Sequence, residues 1–246
     1  MTIKIDGKDC ACAHGEYLID IARRNGIYIP TLCHHPGLEG QGCCRVCIVE
    51  ITERGKSRMV ISCMFPVEHE CEVFTNSDRT VTARRAVLAL LALRAPESEE
   101  IKELCSRFKV KVPARLRPAD TGKCIVCGLC ARACFEVGTG AISTVNRGVE
   151  KEVATPYHEP TGVCIGCKSC AEVCPTSAIE VYEDKNSRKI WGRTFFLVHC
   201  KECGAVIGTR DEIEYAAKKI GSEAVFICES CKKRHIAEAM KAAYGA

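Results

Sequence analysis

One cysteine pattern occurs twice in this chain, and it constrains the fold more than any other feature. Cys124-Ile-Val-Cys-Gly-Leu-Cys-Ala-Arg-Ala-Cys and Cys164-Ile-Gly-Cys-Lys-Ser-Cys-Ala-Glu-Val-Cys align at an offset of 40 residues. Each copy is followed by Ala-Ile (Ala141-Ile142 and Ala178-Ile179) and a short β-like stretch. Duplication of one small motif is the simplest account. Three thiolates at this tight spacing wrap three corners of a cubane, and in paired motifs the fourth ligand comes from the other copy. The spacing therefore assigns Cys124, Cys127, Cys130 and Cys174 to one [4Fe–4S] cluster. It assigns Cys134, Cys164, Cys167 and Cys170 to a second. Cross-ligation of this kind brings two clusters close, as an electron wire requires. Zinc ligation or free thiols are the alternative for these residues, and eight cysteines in one register count against it.

Two further groups use eight more cysteines. Cys33-x10-Cys44-x2-Cys47-x15-Cys63 has a tight pair with one distant cysteine on each side, a spacing suited to [2Fe–2S], with a zinc knuckle as the alternative. Gly37, Gly40 and Gly42 let the intervening loop fold closely around the sulfurs. Near the C-terminus, Cys200-x2-Cys203 and Cys228-x2-Cys231 suit either tetrahedral Zn2+ or a third [4Fe–4S] cluster, and spacing alone does not choose between them. Sixteen of the 21 cysteines are then assigned. Cys10, Cys12, Cys43, Cys71 and Cys105 are read as small apolar residues, with Cys10 and Cys12 on opposite faces of a strand. His34 and His35 flank the first ligand, either as hydrogen-bond donors that tune it or as exposed loop residues.

The two-copy motif resembles the two-cluster bacterial ferredoxins. Pro175 follows Cys174 as in that family, whereas Phe135 stands where the first copy would have proline. The stretch Pro30-Thr-Leu-Cys-His-His-Pro-Gly-Leu, continued by Gly42-Cys-Cys-Arg-Val-Cys-Ile-Val-Glu, resembles the N-terminal ferredoxin-like domain of the large iron–sulfur subunit of respiratory complex I. Diaphorase subunits of NAD(P)-linked hydrogenases share that domain. The resemblance selects Cys44 over Cys43, because Cys44 precedes the Arg of the family's Cys-Arg-x-Cys. It also exposes a departure. The family carries a His-x3-Cys-x2-Cys-x5-Cys [4Fe–4S] site after this domain; here Arg94 stands near the expected histidine, and Cys105 is the sole cysteine between it and residue 123.

The remaining sequence is read as α+β. Residues 1–78 form a β-grasp, [2Fe–2S] ferredoxin-like domain. In it Ile3 and Ile5 alternate before an Asp6-Gly7 turn, a helix spans 17–25, and strands 46–51 and 58–62 flank Glu53-Arg54-Gly55. Residues 79–118 form a helical segment and linker, with helices expected over 84–93 and 98–108. Residues 119–185 form the two-[4Fe–4S] domain, and 186–246 a zinc-ribbon-like unit. In this last unit Thr209 and Glu212 make a capping box, Gly221 stops a helix, and a strand over 225–227 precedes a helix over 235–243.

Several functional classes are excluded. Lys and Arg are dispersed and the net charge is only +4, so no nucleic-acid partner is expected. No signal peptide is visible, Arg23-Arg24 precedes no export segment, and the apolar run Ala86–Leu93 is too short to span a bilayer; a cytoplasmic setting is expected. An odd number of cysteines does not close as disulfides. There is no GxGxxG, no P-loop and no nucleophile–base arrangement, so catalysis falls to partners. The resemblance implies a non-catalytic electron-transfer subunit between a flavin- and NAD(P)-binding subunit and a hydrogenase or other catalytic subunit. Soluble hydrogenases lead, among them those that split electron pairs between NAD(P) and ferredoxin. An NAD-linked formate dehydrogenase, a complex I-type enzyme and a free multi-cluster carrier are the alternatives.

Overall fold

The computed structural model describes residues 1–116 and 122–245. The expected boundary at 118–119 lies outside the described residues. The chain forms two compact units. Unit 1 comprises Met1–Arg132, Thr144–Val153 and Val173–Ala178; unit 2 comprises Ala133–Ser143, Ala154–Glu172 and Ile179–Ala246.

In unit 1, alternating residues build a sheet around one helix. Strand β1 (Thr2–Ile5) buries Ile3 and Ile5 and turns through Asp6-Gly7, both with positive φ, into β2 (Lys8–Ala11). Positive φ at both central residues matches the right-handed twist of the flanking strands. The Asp6 carboxylate accepts from the Thr75 amide at 2.8 Å and the Thr75 hydroxyl at 2.5 Å. After β3 (Glu16–Tyr17) comes α1 (Leu18–Arg24), which buries Leu18, Ile19, Ile21 and Ala22. Strands β4 (Ile48–Glu53), β5 (Lys56–Ile61), β6 (Pro66–Val67) and β7 (Glu72–Phe74) follow. The main sheet runs β2-β1-β7-β4-β5, with β1 and β7 parallel and the other pairs antiparallel. Cys10 and Cys12 both join its core, which corrects their expected placement on opposite faces: residues two apart on a strand share a face.

Helix α2 spans Asp78–Arg94 and starts six residues before the expected Arg84. Its N-cap is Ser77, whose hydroxyl accepts from the Thr80 amide at 3.2 Å. The β-branched Thr80, Val81 and Thr82 have weak helix propensity, which hid this first turn. Helix α3 (Glu99–Arg107) is capped by Ser98 and buries Ile101 and Leu104, in the expected place.

Arg84 is the largest fully buried side chain among the described residues, at 1% exposure. It donates to the carbonyls of Val46 (3.1 Å), Ile48 (2.7 Å) and Thr75 (3.1 Å), and its guanidinium lies 5.1 Å from the centre of the Phe108 ring. It thus ties α2 to β4 and to the end of β7.

Helix α4 (Leu129–Val137) carries Cys130 and Cys134. It is followed by the paired strands β8 (Ser143–Val145) and β9 (Glu152–Ala154). In unit 2 a short helix α5 (Ser169–Glu172) precedes an antiparallel sheet, β10 (Tyr182–Glu183), β11 (Ser187–Ile190), β12 (Arg193–His199) and β13 (Val206–Thr209), in that order. Helix α6 (Arg210–Ile220) shows the expected capping box of Thr209 and Glu212 and ends at left-handed Gly221. The expected strand at 225–227 is absent: the segment contributes one backbone bond, Lys201 N–H to Phe226 C=O at 3.2 Å, and no ladder. Helix α7 (Glu229–Tyr244) starts well before His235, because Cys228 is its N-cap and the cysteine loop runs straight into its first turn. Among the described residues no helix is long and apolar enough to cross a membrane.

Replacing Arg84 with Met should remove three hydrogen bonds from a charged donor and leave buried carbonyls short of partners. A loss of about 2–4 kcal/mol is expected, read as a lower denaturant midpoint; an unchanged midpoint would show that the carbonyls find other donors.

Candidate metal-cluster sites

The structure draws most of the assigned cysteines into four groups. In the first, Cys33, Cys44, Cys47 and Cys63 are all buried, while Cys43 is exposed with its thiol toward Gln41. The Cys44 amide donates to Cys33 Sγ at 3.3 Å, and Cys47 and Cys63 Sγ stand 3.3 Å apart. Such crowding perturbs ionisation strongly. Hydrogen bonds from the Cys44 and Cys63 thiols hold Cys33 down at about 2, and Cys63 lowers Cys47 to about 7. The donors pay for this: Cys44 and Cys63 are pushed far up because their protons are shared with ionised neighbours. Four thiolates fit this space together when a cationic centre binds them, so the donor set suits a metal cluster. In the loop, Gly42 has a φ of 60°, which favours glycine, and a Cβ on Gly40 would displace the Met64 side chain, at 2.7 Å.

The two repeat copies fold alike. Val126 and Gly166 have φ of 52° and 68°, and Gly128 and Lys168 have φ of 75° and 55°. Alternating left-handed residues turn successive amides inward and form an anion-binding concavity. Glycine fills the first such position in one copy and the second in the other, so the geometry holds where the residue type does not. The Val126 amide donates to Cys124 Sγ at 3.3 Å, the Ala178 amide to Cys174 Sγ at 3.3 Å, and the Ala141 amide to Cys134 Sγ at 3.1 Å. The Ala-Ile that follows each copy thus returns an amide to its fourth cysteine.

Within unit 1, Cys174 acts electrostatically on both Cys124 and Cys127. Within unit 2, Cys134 acts on both Cys164 and Cys170. Burial pushes Cys127 and Cys170 up to about 11, so each sits in an apolar hole that disfavours a bare thiolate. A cavity in unit 2 is lined by Cys134, Cys164, Cys167 and Cys170, with Ile142 and Trp191 on its wall.

The N-terminal set and the Cys124 set adjoin. Cys33, Cys44 and Cys127 belong to one apolar cluster with Leu32, Val46 and Leu129. Arg132, on α4, donates to the carbonyls of Cys33, at 3.2 Å, and Glu39. Sequence reasoning missed Arg132, which no motif marks. Arg94 donates to the carbonyls of Val149 and Lys151. Burial raises the Cys124 thiol, and the Arg94 guanidinium opposes that rise. His34 Nδ1 pairs with Arg23 at 2.9 Å, and His35 Nδ1 accepts from the Gly37 amide at 3.1 Å.

In the C-terminal set the ligand atoms of Cys200, Cys203, Cys228 and Cys231 all lie within 4.8 Å of one another. The Cys228 amide donates to Cys200 Sγ at 3.3 Å, and this bond with that from Cys203 lowers Cys200 to about 6. Arg234 reaches Cys231 Sγ at 3.4 Å and Glu202 at 2.8 Å.

These features agree with comparisons to known proteins. Residues 1–78 match a 2Fe-2S iron-sulfur cluster binding domain and residues 123–178 a 4Fe-4S dicluster domain. The chain is therefore a multi-cluster iron–sulfur protein, with a [2Fe–2S] domain ahead of a [4Fe–4S] dicluster domain. Within that class it is homologous to subunits of nicotinamide-linked redox complexes. It is 34% identical over 219 residues to the NADP-reducing hydrogenase subunit HndD of Solidesulfovibrio fructosivorans, covering 74% of this chain and 36% of that one. It is 28% identical over 242 residues to the NADPH-Fe(3+) oxidoreductase subunit alpha of Geobacter sulfurreducens, covering 89% and 28%. The chain thus spans about a third of the length of these relatives. A crystal structure of an NAD+-reducing [NiFe]-hydrogenase in the H2-reduced state shares the fold, with a TM-score of 0.61 at 24% identity over 72% of this chain and 85% of that one.

Brief alkylation of the native protein followed by peptide mapping should modify Cys43 and spare Cys44. Equal modification of the two would contradict the inward turn of Cys44.

Proposed function

We propose that the chain is an electron-transfer subunit of an NAD(P)H-linked complex, most plainly a hydrogenase, in which it connects a flavin- and nicotinamide-binding subunit to a catalytic subunit. Cys33, Cys44, Cys47 and Cys63 would hold [2Fe–2S]. Cys124, Cys127, Cys130 and Cys174 would hold one [4Fe–4S] cluster, and Cys134, Cys164, Cys167 and Cys170 a second. Bound there, these clusters supply one-electron transfer. The chain's own residues fix the ligands, keep water from the sulfurs and join the first two sites through packed side chains.

The observation that carries this reading is the shared apolar cluster of Cys33, Cys44 and Cys127, with Arg132 clamping the Cys33 loop to α4. Two adjoining cluster sites inside one packed unit are what a conductor needs, and a lone storage or structural site does not. The relatives support a nicotinamide-linked partner, since one is named for NADP reduction and the other for NADPH oxidation with Fe(3+). The second name favours a reading in which the partner reaction does not involve hydrogen. Electron bifurcation with ferredoxin, and a formate dehydrogenase or complex I-type setting, belong to the same wiring. A reducing cytoplasm suits a chain that puts its cysteines into metal ligation and forms no disulfide among the described residues.

We assign Zn2+ to the C-terminal set, in a zinc-ribbon-like unit. Tetrahedral Zn–S bonds of about 2.3 Å place thiolates about 3.8 Å apart, within the 4.8 Å limit observed. A cubane presents its ligands on four separate irons and holds them further apart.

Metal analysis of anaerobically purified protein should give about 10 Fe and 1 Zn per chain. About 14 Fe without zinc would convert the C-terminal set to a third cubane, and a colourless, iron-free chain would end the proposal. Copurification with a flavoprotein is expected, whereas elution alone at 26.9 kDa would favour a diffusing carrier.

A further inference from the structure

The hairpin between β11 and β12 turns through Trp191-Gly192, with Ile190 paired to Arg193. Both turn residues are left-handed, at φ of 51° and 73°. Asn, Asp or Gly relaxes into the first position of such a turn, and a bulky aromatic residue does not. Yet the chain places its only tryptophan there. Strain of this kind persists only where the surroundings impose it, and here the surroundings are a cysteine set. The half-buried indole lines the cavity of Cys134, Cys164, Cys167 and Cys170, and its Nε1–H donates to Cys170 Sγ at 3.5 Å.

The rest of the hairpin holds that loop in position. Arg188 donates to the Gly166 carbonyl at 2.7 Å, Arg193 to the Cys164 carbonyl at 2.5 Å, and the Thr209 hydroxyl at the end of β13 to the Ile165 carbonyl at 2.5 Å. Phe195 covers Gly166 so closely that a Cβ there would lie 2.7 Å from its ring. The backbone amides that reach Cys124, Cys134 and Cys174 come from the duplicated motif or its following Ala-Ile. The indole lies outside the duplication.

We propose that Trp191 is a positioning residue that sets the reduction potential of the second [4Fe–4S] site by donating its indole N–H to Cys170 sulfur. The inference rests on the cluster assignment above. Reduction adds one negative charge to the cluster and its thiolates, so a sulfur-directed N–H bond strengthens in the reduced state and raises the potential. The indole body also keeps water from one face of the site, and a change there acts on the same potential.

The test is a redox titration followed by electron paramagnetic resonance on the full-length protein, with iron and acid-labile sulfide measured on each sample. Trp191→Phe keeps the ring and removes the donor. Its iron content should match the parent, and the midpoint of one [4Fe–4S] signal should move down, with a severalfold fall in the reduced-to-oxidised ratio at fixed poise. The other signals should stay in place. Because the chain has one tryptophan, biosynthetic replacement by a fluorinated tryptophan changes this donor alone. Its more acidic N–H should move the same midpoint up, and it preserves the fold where the phenylalanine variant does not. Opposite shifts support the proposal, because packing alone predicts no such sign reversal. Fully loaded protein with an unmoved midpoint in both forms overturns it, and parent protein without [4Fe–4S] signals or sulfide overturns the cluster assignment beneath it.

Discussion

The structure depends on a conflict between sulfur charge and apolar burial. Metal ligation needs thiolates, and thiolates repel one another and resist leaving water. The chain nevertheless brings Cys33, Cys44, Cys47 and Cys63 into one buried space, and puts Cys127 and Cys170 in holes that push their thiols up to about 11. Inward-turned amides relieve part of this cost, at Cys33, Cys124, Cys134 and Cys174. Cations at the sulfurs would relieve the remainder, and binding them would couple folding to metal loading.

The same demand accounts for part of the backbone strain. A loop that aims its amides at sulfur must pass through left-handed conformations. Val126, Lys168 and Trp191 occupy that region although their side chains disfavour it. At Val126 and Lys168 the repeat imposes the conformation, as the partner copy shows by using Gly166 and Gly128. At Trp191 no repeat operates, and the strain is held by the pairing of Ile190 with Arg193 and by the indole's contact with Cys170.

Much of this was legible in the sequence for a physical reason. Cluster ligation fixes cysteine spacing locally, so CxxCxxC can be read without knowing the fold, and the N-terminal alternation of Ile3 and Ile5 reports directly on a sheet face. The β11–β12 hairpin was not legible, because Trp191-Gly192 lacks the Asn or Asp that signals its turn. The first turn of α2 was hidden by Thr80, Val81 and Thr82, and is stabilised by the Ser77 cap. Val225 to Ile227 has strand-like residues, yet no neighbouring strand is available to pair with it. Arg132 and Arg84 carry no motif at all: an arginine that binds distant carbonyls is indistinguishable in sequence from one that faces water.

Those arginines also bear on the departure at residue 94. The sequence resemblance implies a histidine ligand near this position, and here a guanidinium binds the carbonyls of Val149 and Lys151. A guanidinium has no lone pair to give a metal and five donors for carbonyls, so Arg94 makes this end of α2 a clamp. A second clamp, Arg132, holds the Cys33 loop, and Cys33 shares an apolar cluster with Cys127. With Cys33, Cys44 and Cys127 in one apolar cluster, electrons would pass between the two sites of unit 1 without an intermediate group.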